Sequence, residues 1–363
     1  IPFEEFFNFI NGAAGLENLP IRWREMGSDE AGTFTEVDIP NLGQSFLGDD
    51  SNTPFPEVED IDFANVPHVR FYMTGPVKDG IAANDNVGNF WVGWDTFPDP
   101  TKVVNEKFYL HKNGIVNQTA PTGNEGSRSF VANPYNPVPT HGGPNMITET
   151  PDGERSSQGQ MDFMDPTYSG QVLKRTMGVF EGEPLKDILE FETPTFEEPY
   201  AIAGIPTMHF YASSTPEGNL ATDSTNAEFH VRVLDVYPDG RELYVFEGTV
   251  NARAREYAAA WAENGEENME ITYQNIPSGE MLEYFFRMYP IGYVWGEGHK
   301  MKVIISGTNS PRFEPCANLP LEDGEFFYRV NPRDFTADSY NYRGQQLYAR
   351  QVKSTIAFAE DKP

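Results

Sequence analysis

FHVRVLDVYPDGRELYVFEGTVN, residues Phe229–Asn251, reads as a β-hairpin. Phe229, Val231 and Val233 alternate with His230 and Arg232, the period-two pattern of a strand that buries one face. Tyr237-Pro238-Asp239-Gly240 follows. Pro238 fixes its own φ and Gly240 accepts a positive φ, which suits a tight turn. Glu242–Val250 then supplies the return strand.

The same signature recurs on both sides. Val69, Phe71 and Met73 alternate with polar residues and stop at Gly75-Pro76. Phe90–Trp94, Lys107–Leu110, Ile188–Glu192, Thr207–Ser213, Met281–Tyr289, Lys300–Ser306 and Leu347–Ala357 are further candidate strands. Many strands without intervening helices predict a sandwich rather than a doubly wound sheet. Ala252–Glu263, ARAREYAAAWAE, stays open between helix, which its alanines favour, and loop. Asn133–Gly143, NPYNPVPTHGG, is too rich in proline for a central strand and reads as an extended crossing segment. Residues 144–178 read as a long surface loop and 27–65 as an acidic connector. Phe3, Phe6, Phe7 and Ile10 fall on one face of a short amphipathic helix. The Ile1 start, with no basic or apolar leader, reads as a processed or excised product.

Composition narrows the function classes. The chain has 363 residues with 27 Phe, 17 Tyr, 29 Pro and 32 Gly, which suits a β-rich, turn-rich protein. Its 26 Lys and Arg against 55 Asp and Glu give a net charge of −29, which repels nucleic-acid phosphate. The acidity reads as solubility, with calcium-rich or saline surroundings as a second reading. No apolar run reaches the ~18 residues of a membrane span. A single cysteine, Cys316, excludes an internal disulfide framework and a thiolate zinc cluster. Low lysine with abundant Asn, Thr, Gly and aromatics leans towards an extracellular or periplasmic location.

Several segments, taken in order, resemble the C-terminal β-sandwich module of the X-Pro dipeptidyl-peptidase, cocaine-esterase and α-amino-acid ester hydrolase group. They are VRFYMTG (Val69–Gly75), FWVGWDTFP (Phe90–Pro98), FYLHKNGIV (Phe108–Val116) and NPYNPVPTHGG. Leu189–Ser214, the hairpin with its trailing arginines, and GHKMKVIISGTNSPRFEPCAN (Gly298–Asn318) complete the series. The resemblance runs from about Val66 to Asn318. It implies an all-β jelly-roll sandwich, here with a short N-terminal helical arm and a C-terminal extension. The divisions expected are 1–65 for the arm and acidic connector, 66–320 for the jelly roll and 321–363 for the extension with a terminal strand.

The motif residues then read as scaffold. Pro238, Asp239 and Gly240 close the hairpin, and Asp235 is a buried carboxylate that Arg253 or Arg255 could pair with. Pro311 and Arg312 are expected to clamp a carbonyl-rich loop. The family's nucleophile sits in a Gly-x-Ser-x-Gly elbow upstream of this module, and this chain has no such elbow. Gly126-Ser127-Arg128-Ser129 lacks the spacing and Gly307-Thr308-Asn309-Ser310 lacks the second glycine. Without the elbow no serine is held on a strained turn beside oxyanion donors. The Phe3–Ile10 segment resembles the helix that follows the family's catalytic histidine.

Other candidates are sparse. The six histidines, His68, His111, His141, His209, His230 and His299, show no metal-binding spacing, and His230 reads as solvent-facing or satisfied. Asp85, Asn86 and Asn89 could offer oxygens to a calcium ion. Asn117 opens a glycosylation sequon, relevant in a eukaryotic host. Trp91, Trp94, Trp261 and Trp295 serve either core packing or sugar stacking. Two functions stand. One is a non-catalytic module beside a serine hydrolase domain, giving an active-site wall and a packing surface for domains or subunits. The other is a stand-alone extracellular protein, either self-assembling with copies of itself through Phe3–Ile10 and Leu347–Phe358 or binding carbohydrate.

Overall fold

The alternation in the hairpin supplies two strands of a sandwich, and six other strands complete it. A computed structural model describes residues 22–25, 35–38, 68–78, 81–82, 87–88, 90–144, 162–164, 178–218, 223–265, 273–322, 340–342 and 344–362. Within them the chain divides into two units. The larger comprises Glu106–Tyr200, Ile205–Ile291 and Trp295–Pro363. Its eight main strands are β1 (Asn124–Ala132), β2 (Ile188–Glu192), β3 (Thr207–Pro216), β4 (Glu228–Val236), β5 (Glu242–Asn251), β6 (Leu282–Arg287), β7 (Lys300–Ser306) and β8 (Val352–Ala359).

Two antiparallel sheets result, ordered β2-β7-β4-β5 and β6-β3-β8-β1. Consecutive strands repeatedly cross from one sheet to the other, which is the jelly-roll interlock. Phe229 of β4 shows why the sheets adhere: its ring lies 4.6 Å from Tyr284 of β6, 5.1 Å from Phe210 of β3 and 6.2 Å from Phe130 of β1. Phe191 of β2 meets Phe358 of β8 at 5.8 Å. Each such aromatic side chain contributes roughly 1.5–3 kcal/mol on burial.

The sheet edges are occupied by the chain itself. Phe163 and Tyr289 donate backbone N–H groups to Glu242 and Glu247 on β5, and Glu192 on β2 donates to Gly114. Val131 on β1 donates to Lys186. Helix α1 (Arg255–Asn264) packs against β6, with the Arg287 guanidinium 5.6 Å from the Trp261 ring. Covered edges remove the backbone groups that would otherwise recruit another strand.

Several expectations change here. Leu347–Phe358 does not project towards a neighbour, because β8 sits between β3 and β1 of its own sheet. The open segment is helical: a 3-10 turn, Ala252–Ala254, whose Arg253 N–H donates to the Asn251 side chain, leads into α1. β1, NEGSRSFVA, passed unnoticed because only its last residues are buried. The predicted helix Phe3–Ile10 and most of the 27–65 and 144–178 segments lie outside the described residues.

The smaller unit comprises Ile1–Asn105, Ala201–Gly204 and Gly292–Val294. Its sheet pairs Val69–Met73 with Phe90–Trp94, which runs parallel to Arg22–Glu25, itself paired with Thr35–Asp38. Met73, Phe90, Val92, Trp94 and Val294 form its core. Gly292 is required there, since a Cβ would lie 2.8 Å from the Met73 sulfur and 3.0 Å from the Phe71 ring.

Candidate functional site

The outer face of β2-β7-β4-β5 carries the densest chemistry of the larger unit. Outward alternation places His230, Arg232 and Leu234 there on β4, and Lys302, Ile304 and Ser306 on β7. β5 pairs Val233 with Phe246 but Leu234 with Tyr244. The extra residue, Val245, is a bulge that brings Tyr244 to the same face as Glu247. The crossing segment covers this face: Val138 N–H donates to Thr308 Oγ1 and the Thr140 hydroxyl to Asn309 Oδ1, both at 2.8 Å. Val138, Phe163, Ile188, Leu234, Tyr244 and Ile304 pack as a second apolar cluster beneath it.

Two arginines share one carboxylate in this layer. Arg232, 1% exposed, donates to Pro139 O and Ser306 Oγ at 3.2 Å each. Burial pushes its guanidinium down to about 10. Glu247, 4% exposed, accepts from Asn309 Nδ2 at 3.1 Å and lies 2.7 Å from Arg312 Nε. That close approach is an ion pair without hydrogen-bond alignment, since Nε and Oε1 each lack a directed partner. Burial pulls Arg312 down, but Glu247, Tyr289 and Tyr244 together leave its pKa raised. Arg312 also donates to Pro144 O and to the Tyr289 hydroxyl. Pro311 and Arg312 thus sit where a carbonyl is clamped.

At the other end of the face Lys302 is buried among carboxylates. Its ammonium lies 2.6 Å from Glu242 Oε1, 2.9 Å from Glu192 Oε1 and 3.6 Å from Glu190 Oε2. Burial lowers the Lys302 pKa, yet Glu242 and Glu192 together leave it raised. The ammonium takes the central position a metal ion would need, and among the described residues no group of His, Cys, Asp and Glu could hold one.

The hairpin residues separate. Asp235 is fully buried and meets His299 Nδ1 at 2.7 Å. Its expected pairing with Arg253 or Arg255 is corrected by the register: Asp235 lies opposite Leu243, whereas Asn251, just before those arginines, lies opposite Glu228. Seven strand residues, roughly 23 Å, separate the two ends. Arg255 pairs instead with Glu256 at 2.8 Å, and Arg253 is buried at the start of the 3-10 turn. Pro238, Asp239 and Gly240 are exposed at the turn, where Gly240 has φ +91° and Asp239 accepts from Arg241. Asn117 accepts from Thr119 N–H at 2.8 Å and lies 3.2 Å from His111 Nε2. Asp85, Asn86 and Asn89 lie outside the described residues.

Among the described residues one hydroxyl–imidazole–carboxylate series occurs. His230 Nδ1 lies 3.1 Å from Thr249 Oγ1 and its Nε2 3.4 Å from Glu228 Oε2. Asn251 also holds Glu228, the Phe313 ring lies 5.0 Å from the imidazole and His230 is only 2% exposed. The ring is satisfied and screened, and the series closes the open end of the hairpin. Trp94 and Trp295 are core residues. Sequence reasoning missed Arg232, Glu247, Lys302 and His299. The only signal for Arg232 was a charge at a position that strand alternation had marked as outward.

Fold and face together define a jelly-roll β-sandwich module whose polar residues organise its own covering segment. The chain matches the X-Pro dipeptidyl-peptidase C-terminal non-catalytic domain over residues 62–327, more than half its length, and it belongs to that family. It is 22% identical over 253 residues to a cocaine esterase of Rhodococcus sp. (strain MB1 Bresler), covering 66% of this chain and 37% of that protein. A solved aminopeptidase from a marine sediment Thaumarchaeota archaeon shares the fold, with a TM-score of 0.53 and 15% identity over 100% of this chain and 51% of that one. The chain therefore spans about a third to a half of the length of these relatives.

Proposed function

We propose that this chain is the non-catalytic sandwich of a larger serine hydrolase acting on esters or peptides, and that it forms a wall of the active site and a surface for domain packing. The family match over residues 62–327, in a chain that spans only 37% of the cocaine esterase, carries this reading. The absence of a Gly-x-Ser-x-Gly elbow from the sequence supports it from the chemical side. Low lysine with abundant Asn, Thr, Gly and aromatics supports an extracellular or periplasmic site of action.

The test begins with the coding sequence upstream of Ile1. An open reading frame carrying Gly-x-Ser-x-Gly is expected. The longer protein should hydrolyse p-nitrophenyl esters or X-Pro p-nitroanilides while this chain alone does not. A signal peptide ending at Ile1, or turnover by the isolated chain that is lost on mutating one of its own serines, would overturn the proposal.

A further inference from the structure

The outer face of the second sheet, β6-β3-β8-β1, has a different character from the covered face opposite. Even-numbered residues of β3, Phe210, Ala212 and Ser214, point into the sandwich, so the odd-numbered ones face outward. Register aligns Glu283, Tyr211, Ala357 and Ser127 in one row and Ser213, Thr355 and Ser129 in the next. Each row crosses the sheet over about 10–14 Å.

At one end of this face the rings of His209, Tyr211 and Phe285 gather around a carboxylate. His209 lies 5.5 Å from Tyr211 and 5.6 Å from Phe285. Both His209 Nε2, at 2.7 Å, and the Tyr211 hydroxyl, at 3.0 Å, engage the same oxygen, Oε1 of Glu283. His209 is 38% exposed and Glu283 57%, while Tyr211 and Phe285 are half-buried. Glu283 Oε2 and the hydroxyls of Ser213 and Ser127 have no protein partner among the described residues. Lys362 closes one side, its ammonium 6.0 Å from the Tyr211 ring.

We infer that this face binds a neutral polysaccharide, with Tyr211 and His209 as the stacking wall and Glu283, Ser213 and Ser127 as hydrogen-bonding partners for sugar hydroxyls. Ring faces beside oriented polar groups match the alternating C–H and O–H surfaces of a pyranose. A net charge of −29 opposes an anionic polymer. Small hydroxyl residues in place of an apolar patch oppose a lipid surface. The inference is independent of whether a hydrolase domain lies upstream.

Native affinity electrophoresis of the full chain in gels containing barley β-glucan, xylan or glucomannan tests it. Retardation is expected in at least one gel. Tyr211→Ala and His209→Ala should each weaken the apparent affinity about three- to tenfold, while Tyr211→Phe keeps it. Ser213→Glu, on the outer face and away from the core, should abolish retardation, and unchanged thermal unfolding of each variant confirms its fold. Migration unaffected by all three polymers overturns the inference. So does retardation by pectin alone, retardation that the three disruptive variants leave intact, or self-association that shields Tyr211 from solvent.

Discussion

Nδ1 of His299 lies 2.7 Å from Oδ1 of Asp235, joining the last buried turn of one hairpin strand to the loop that begins β7. Asp235 is fully buried, and the Tyr237 ring lies 4.5 Å from the imidazole. Asp235→Ala leaves a buried ring nitrogen without its acceptor. It is expected to cost about 1–3 kcal/mol, read as a lower urea midpoint at unchanged m-value. An unshifted midpoint would show that the contact contributes nothing net.

Glu247 pairs with Arg312 at 2.7 Å and lies opposite Arg232 across the strands, so its neutralisation removes the negative charge that favours both cations in a buried layer. Glu247→Gln should destabilise the chain by about 3–5 kcal/mol. Arg232→Met should cost less, because it removes a buried charge together with its desolvation. A double-mutant cycle measures the coupling. Strictly additive effects would refute the idea that these residues act as one unit.

The Lys302 cluster predicts how stability responds to acid. Burial raises the Glu192 pKa, but Lys302 and Lys300 outweigh it and leave it below its ordinary 4.5. Its stabilisation is present above 4.5 and is lost as pH falls through the depressed value. Glu242 behaves oppositely: burial raises its pKa, so its ionisation opposes folding as pH rises. In Lys302→Met Glu242 loses its ammonium and Glu192 keeps only Lys300. The variant should therefore gain relative stability on acidification from about pH 7 to about pH 4, measured as thermal midpoint against pH. A parallel pH profile in the variant and the parent would exclude the cluster as the source.

His111 meets Glu125 at 2.8 Å. Burial lowers the His111 pKa, but Glu125 and Asn117 leave it raised above 6.5, so its stabilisation is complete below 6.5 and is lost as pH rises through the raised value. Glu125 is held below its ordinary 4.5, chiefly by His111, and loses its contribution as pH falls through that depressed value. His111→Gln should flatten the decline in stability as pH rises above 6.5. Retention of the full decline would assign it to other groups.

Strand segments with an apolar face and turn residues beside them were legible in the sequence. Phe90–Trp94, Ile188–Glu192 and Lys300–Ser306 match their observed bounds because alternation and turn residues mark both ends. β1 was not legible, since Asn124–Ser129 carries small and polar residues and only Phe130–Ala132 is buried. The partner of Asp235 was misread for a related reason. Arg253 and Arg255, which trail the hairpin, lie at its far end, and the residue that meets Asp235 stands 64 positions away.

By itself the sequence determined the β-class, the turn at Tyr237–Gly240, the family resemblance and the lack of a nucleophile elbow, because these depend on local periodicity, turn chemistry and contiguous motifs. Only the tertiary structure decided that β8 fills an interior position, that Glu247 is shared by two arginines and that Tyr211, His209 and Glu283 meet on an open face. Those outcomes depend on which strands cross between sheets and in what register. Cross-strand register joins residues distant in the chain, and a pattern of neighbours along the sequence does not encode it.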